Sequence, residues 1–239
     1  MATSKTSATA RKIPTNSNAA GREFGLWPSD GVIFDQGCTQ CPRLAKFLAD
    51  SKREYPDYYC APVAPFGDPQ ARLIIVGLAP GLHGANASGR PFTGDHAGLI
   101  LYRTLHRFGF ASQPESTSRT DSLRLIDCRI SNSVKCVPPQ NKPLPEEIRT
   151  CNHYLASELA MSGTSTLLLA LGSIAHGAAL RALGLKASQY TFAHAAEHSL
   201  PSGQTLIDSY HCSRYNTQTR RLTEDMFAAI FARARELLK

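Results

Sequence analysis

Leu73-Ile74-Ile75-Val76-Gly77-Leu78-Ala79-Pro80-Gly81 is the stretch that decides the fold. Four apolar residues in a row, with no polar alternation, describe a strand buried on both faces, as in a parallel sheet covered by helices. Gly77 ends the strand and opens a long loop. Further along, Leu99 to Phe108 carries Leu99, Leu101, Tyr102, Leu105 and Phe108 at helical spacing, and Leu125 to Val134 reads as a second strand. Pro145 to Met161 predicts a helix whose first turn holds Glu146 and Glu147, where carboxylates meet the positive end of the helix dipole. Thr166 to Leu171 is a third strand closed by Gly172; an alanine-rich helix follows from Ser173 to Leu183, with Gly184 as its stop. Leu206 and Ile207 mark a fourth strand, and Thr223 to Leu238 a final amphipathic helix. Such alternation predicts an α/β fold, a three-layer α/β/α sandwich around a central parallel four-stranded sheet. Ligands of open parallel sheets gather at the carboxyl ends of the strands. The loops after the first, second and fourth strands are therefore the expected site.

The chain has 239 residues, 42% hydrophobic and 19% charged, which suits one compact domain, expected over residues 23–239, with no internal repeat. Residues 1–22 are rich in Ala, Ser, Thr and Asn, with Lys5, Arg11, Lys12 and Arg22 and no acid. They are read as a disordered basic tail, a transit peptide being the second reading. No run approaches the roughly 20 apolar residues of a bilayer span, and no secretory signal opens the chain, so a cytoplasmic protein without membrane attachment is expected. The 26 Lys and Arg against 19 Asp and Glu leave a net charge of +7, which favours a polyanionic partner.

Seven cysteines in a cytoplasmic chain point to metal, catalysis or packing rather than disulfides. Cys38 and Cys41 form a C-x-x-C pair, while Cys136 and Cys151, with fourteen residues between them, fall at the end of the second strand and inside the next helix. Four thiolates suit zinc or an iron–sulfur cluster, and the spacing alone leaves both open. Cys60, Cys128 and Cys212 are assigned to packing. In the loop after the first strand, Gly77, Ala79 and Gly81 allow a ligand to approach the backbone closely. The spacing is not G-x-G-x-x-G, and no acid stands where a ribose would need one, which argues against a dinucleotide site.

Several stretches resemble one family. Gly77-Leu78-Ala79-Pro80-Gly81, Gly89-Arg90-Pro91-Phe92-Thr93-Gly94-Asp95, Val134-Lys135-Cys136-Val137-Pro138-Pro139-Gln140-Asn141-Lys142-Pro143 and His211-Cys212-Ser213-Arg214-Tyr215-Asn216-Thr217-Gln218-Thr219 are similar to the motifs of the B-type, family-five uracil-DNA glycosylases. The likeness runs from about Gly37 to the end. It implies a bacterial, nucleoid-associated and monomeric base-excision enzyme that hydrolyses the N-glycosidic bond of uracil, and of deaminated purines such as hypoxanthine and xanthine, in damaged DNA. It also implies a four-iron, four-sulfur cluster held by Cys38, Cys41, Cys136 and Cys151, with zinc as the alternative.

Cutting this bond requires the nucleotide to be flipped into a pocket and charge to be stabilised on the departing base and on the sugar. By resemblance Phe92 stacks on the base, His211 hydrogen-bonds it, and Asp95 positions water. An Asp just before a helix is also a preferred N-cap, and the two readings of Asp95 are compatible. Leu78 and Ala79 stand where sister families carry an Asp or Asn. Asn132 occupies the place of a base-reading asparagine in the A-type relatives, whereas B-type chains commonly have a small apolar residue there; Asn141 is the B-type candidate. An amide matches the O4 acceptor and N3 donor of uracil together. Ser213, Arg214, Tyr215 and Asn216, with Arg220 and Arg221 behind them, are expected to press into the minor groove and contact phosphate. The rival readings are a catalytically weak or inactive iron–sulfur DNA-binding protein and a cluster-bearing electron carrier.

Overall fold

The computed structural model describes residues 34–239. The expected basic tail lies outside the described residues. Among these residues six strands form one sheet: β1 (Phe66–Gly67), β2 (Leu73–Gly77), β3 (Cys128–Asn132), β4 (Leu167–Leu171), β5 (Glu197–Ser199) and β6 (Thr205–Ser209), in the order β1-β3-β2-β4-β6-β5. The four expected strands are its centre and run parallel, with Ile75 opposite both Ile130 and Leu169, and Leu169 opposite Ile207. The sheet is thus larger than the four strands expected and mixed at its edges, because β1 and β5 pair antiparallel with β3 and β6. Two residues are too few for a periodic signal, and Glu-His-Ser has no apolar face, so neither edge strand announces itself.

Among the described residues seven α-helices surround the sheet: α1 (Pro42–Glu54), α2 (Ala85–Ser88), α3 (His96–Arg107), α4 (Pro145–Ala160), α5 (Ser173–Ala182), α6 (Arg214–Gln218) and α7 (Glu224–Leu237). Alternate strand residues face opposite layers. Leu73 and Ile75 pack with Leu101, Leu105, Phe227 and Phe231 of α3 and α7, while Ile74 and Val76 pack with Leu155, Leu159, Ala178 and Leu180 of α4 and α5. The three layers follow directly. Burying each of the Leu, Ile, Val and Phe side chains among them contributes about 1.5–3 kcal/mol. A third cluster, with Phe34, Leu44, Leu48 and Val137, packs α1 against Cys151 and Tyr154 of α4.

The second strand is shorter than its apolar run: β3 spans Cys128–Asn132, and Leu125 is reduced to a single bridge with Ala111. Cys136 therefore lies in the loop beyond the strand. Among the described residues no helix is long and apolar enough to cross a membrane.

Candidate active site

A cavity of about 460 Å³ opens at the carboxyl ends of the parallel strands. The loop after β2 supplies Leu78, Ala79 and Gly81, Asn132 ends β3, and His211 follows β6. Phe92 and Asp95 reach it from the segment leading into α3. The Phe92 and His211 rings lie near parallel, 25° apart in plane with centroids at 5.9 Å. Gly77 stands behind this wall instead of in it. A Cβ there would lie 2.4 Å from Asn132 Oδ1 and 2.8 Å from the Phe92 ring, so the missing side chain lets both groups close in.

The Asp95 side chain divides its labour. Oδ1 accepts a hydrogen bond from the Gly98 N–H at 2.8 Å and caps α3. Oδ2 is turned towards Gly81 and Gly84. The capping role thus engages one oxygen and leaves the other facing the glycine loop. Burial holds the His211 imidazole below its ordinary pKa, with the nearby Asp95 carboxylate pulling the other way. Asn132 is nearly fully buried, and its Oδ1 has no hydrogen-bond partner within the protein. A buried orphan acceptor is unusual and fits a site awaiting a donor. Asn141 also lines the cavity, from a left-handed backbone position at φ 57°.

The rim is built on α6. Ser213 caps it by accepting from the Asn216 N–H, and Asn216 Nδ2 donates to the His211 carbonyl at 2.8 Å. Ser213 and Arg214 line the cavity, while the Tyr215 side chain projects beside them, 70% exposed. Arg220 is exposed behind this turn, and the Arg221 guanidinium lies 4.6 Å over the Tyr210 ring.

The four cysteines converge below the loop that follows β3. Cys38, Cys41, Cys136 and Cys151 line one small cavity between α1 and α4, and all are free thiols. Burial raises the Cys136 thiol, and each of the other three adds to the shift, as mutual proximity requires. The backbone N–H of Lys135 points at Cys151 Sγ, 3.3 Å away. Among the described residues, the group of three or more His, Cys, Asp or Glu donors closing within 4.8 Å is His176, His198 and Asp208, not the cysteines. Tetrahedral zinc with bonds near 2.3 Å would draw its sulfurs to about 3.8 Å from one another. Four thiols lining one cavity form a donor set that either zinc or an iron–sulfur cluster can use.

That geometry can be set beside known proteins. Residues 64–235 match the model of the Uracil DNA glycosylase superfamily. The chain belongs to the uracil-DNA glycosylase superfamily. It is 45% identical over 205 residues to the Type-5 uracil-DNA glycosylase of Thermus thermophilus, covering 84% of this chain and 93% of that one. A Pyrobaculum aerophilum protein of the same name is 38% identical over 212 residues, covering 87% and 92%. The Type-4 uracil-DNA glycosylase of Thermotoga maritima is 34% identical over 110 residues, 46% of this chain and 49% of its own.

Of the residues that sequence reading offers for a uracil-DNA glycosylase site, Ala79, Gly81, Phe92, Asp95, Asn132, Asn141, His211, Ser213 and Arg214 meet at the cavity. Gly77, Asn216 and Tyr215 stand behind or beside it. The loop after β4 was missed: Leu171, Gly172, Ser173 and Ile174 form one wall. Its signal was the strand-end rule itself, which applies to every parallel strand. His96 was missed as well; it lines the cavity, and its Nε2 meets Thr217 Oγ1 at 3.1 Å, tying α3 to α6.

Proposed function

We propose that this protein removes uracil, and other deaminated bases, from DNA by hydrolysing the N-glycosidic bond of a flipped-out nucleotide. The observation that carries the reading is the cavity itself, lined by an aromatic ring, a neutral imidazole, a carboxylate and a buried amide with an unpartnered oxygen. Phe92 stacks on the base. The Asn132 Oδ1 accepts the N3–H of uracil while its amide donates to O4, and hypoxanthine and xanthine offer a similar carbonyl and N–H pair. Asn141 closes the pocket over the same edge. As the bond lengthens, His211 donates to the oxygen on which charge grows, and Asp95 Oδ2 orients water towards the oxocarbenium carbon. Exposed Tyr215 fills the gap left by the base, and Arg214, Arg220 and Arg221 contact phosphate.

Cys38, Cys41, Cys136 and Cys151 hold a four-iron, four-sulfur cluster in this reading. When bound it supplies a rigid cross-link between α1, α4 and the loop after β3. The site chemistry runs on the side chains named above.

Two experiments test the reading. Oligonucleotide duplexes carrying uracil, hypoxanthine, xanthine or an etheno adduct are expected to yield alkali-labile sites with the first three, and Asn132→Ala is expected to slow uracil release by about 10- to 100-fold, the scale of one lost pair of base-edge hydrogen bonds. No release from any of them would leave a binding protein only. For Asp95, Asn and Ser replacements both keep a capping group. A water-orienting role predicts that both fall by about 10²-fold or more in single-turnover rate with little change in melting temperature; full activity in Asp95→Ser would reduce Asp95 to a cap.

A further inference from the structure

Phe92 holds a backbone conformation that a residue with a side chain rarely adopts, φ 54°. The turn around it is fixed from several sides. Tyr102 donates through its hydroxyl to the Pro91 carbonyl at 2.8 Å. Ser88 Oγ lies within hydrogen-bond reach of the Arg90 and Thr93 carbonyls. The Phe92 carbonyl is pressed against α3, where a Cβ on Gly98 would come within 1.7 Å of it. These contacts come from neighbours in sequence.

The remaining anchor comes from residues 112–124, a segment to which the site as described assigns nothing. Arg90, only 4% exposed, donates through Nη1 to Asp121 Oδ1 at 2.5 Å and to Ser116 Oγ at 3.0 Å, and through Nη2 to the Arg119 carbonyl at 2.9 Å. Its guanidinium also lies 4.3 Å over the Phe66 ring. Ser116 Oγ meets Thr93 Oγ1 at 2.6 Å, so one hydroxyl links both ends of the Arg90–Thr93 turn. Asp121 Oδ2 in turn accepts from the Thr117 and Ser118 N–H groups at 2.8 and 3.2 Å. Burial pushes the Asp121 carboxyl up, but Arg90 and three backbone N–H groups outweigh it and hold the group at about 2. The Asp121 carboxylate is thus ionised, and both Nη atoms of Arg90 are engaged.

We propose that Arg90 and Asp121, bridged by Ser116, are positioning residues that clamp the turn and keep the Phe92 ring flat against the place of the extruded base. Neither touches the base. The clamp rests on the stacking role of Phe92 given above. A strained backbone persists only where its surroundings over-determine it, and a face held in advance loses no ordering freedom when the base arrives. Removing one anchor lets Phe92 relax while the pocket's other walls stay in place.

The test compares duplexes bearing 2′-fluoro-2′-deoxyuridine, which resists cleavage, with duplexes bearing an abasic site, which offers no base to stack on. Asp121→Asn is expected to weaken binding of the first by about tenfold, the scale of one base–aromatic stack, and to leave the second unchanged. Ser116→Ala, a milder change that leaves the ion pair intact, is expected to act in the same direction by about threefold. In a Phe92→Ala background both effects should vanish, because the clamp then has nothing to hold. Equal losses on both duplexes, or an Asp121→Asn effect that persists without the Phe92 ring, would overturn the clamp. Wild-type affinity of Phe92→Ala for the fluorinated duplex would instead overturn the stacking role and the clamp with it.

Discussion

Replacing His211 by Ala is expected to slow single-turnover uracil release by about 10²- to 10³-fold, the usual effect of deleting one preorganised donor to a developing oxyanion. Affinity for uncleaved DNA should change by less than about threefold, because the groups read as holding phosphate lie on α6 and behind it. Position and charge state suit the imidazole to this proposed task. It emerges at the end of β6, its carbonyl is held by Asn216, its ring lies beside that of Phe92, and burial keeps it neutral near pH 7 with an N–H to donate. A neutral donor gains strength as the base becomes anionic and little before, which confines its effect to the transition state. Parallel losses in rate and binding would show a role in folding or docking instead.

Loss of a proposed cluster ligand is the second large effect. Cys151→Ala removes a buried group on α4 whose sulfur receives the Lys135 N–H. On the proposed cluster, the wild-type protein is expected to absorb broadly in the visible and Cys151→Ala to lose that absorption. A destabilisation of about 3–5 kcal/mol, typical of losing a structural metal centre, would lower the melting temperature of a domain this size by roughly 10–15 °C. Cys128→Ala is the control: that thiol is fully buried in the sheet, away from the other four, so its absorption should be kept whatever happens to stability. Retained colour in Cys151→Ala would remove Cys151 from the ligand set.

The centre of the fold was legible because a parallel strand must be apolar on both faces, and Leu73–Val76 and Leu167–Leu171 leave no second reading. Helix ends were legible where capping chemistry is local: Asp95 caps α3 as its place before the helix suggests. Edges were not, since β1 and β5 depend on partners distant in sequence. The site divides the same way. His211 and Asp95 stand at motif positions and at element ends, and both reach the cavity. The wall after β4 carries small and apolar residues with no chemical signature, so only the topology exposes it. Arg90 lies in a recognisable motif, yet its ion pair with Asp121 joins positions 31 apart, and no periodicity reports such a pairing.

One backbone run joins the two centres. The Gly77 carbonyl accepts from both the N–H and the hydroxyl of Ser133, and the Leu78 carbonyl from the Val134 N–H. Asn132 precedes these bonds and Cys136 follows them two residues later. Side chains between them can drift, but the spacing cannot. A single inserted or deleted residue between Asn132 and Cys136 would displace either the amide or the thiolate, so this segment should keep a fixed length among functioning descendants even where its composition wanders.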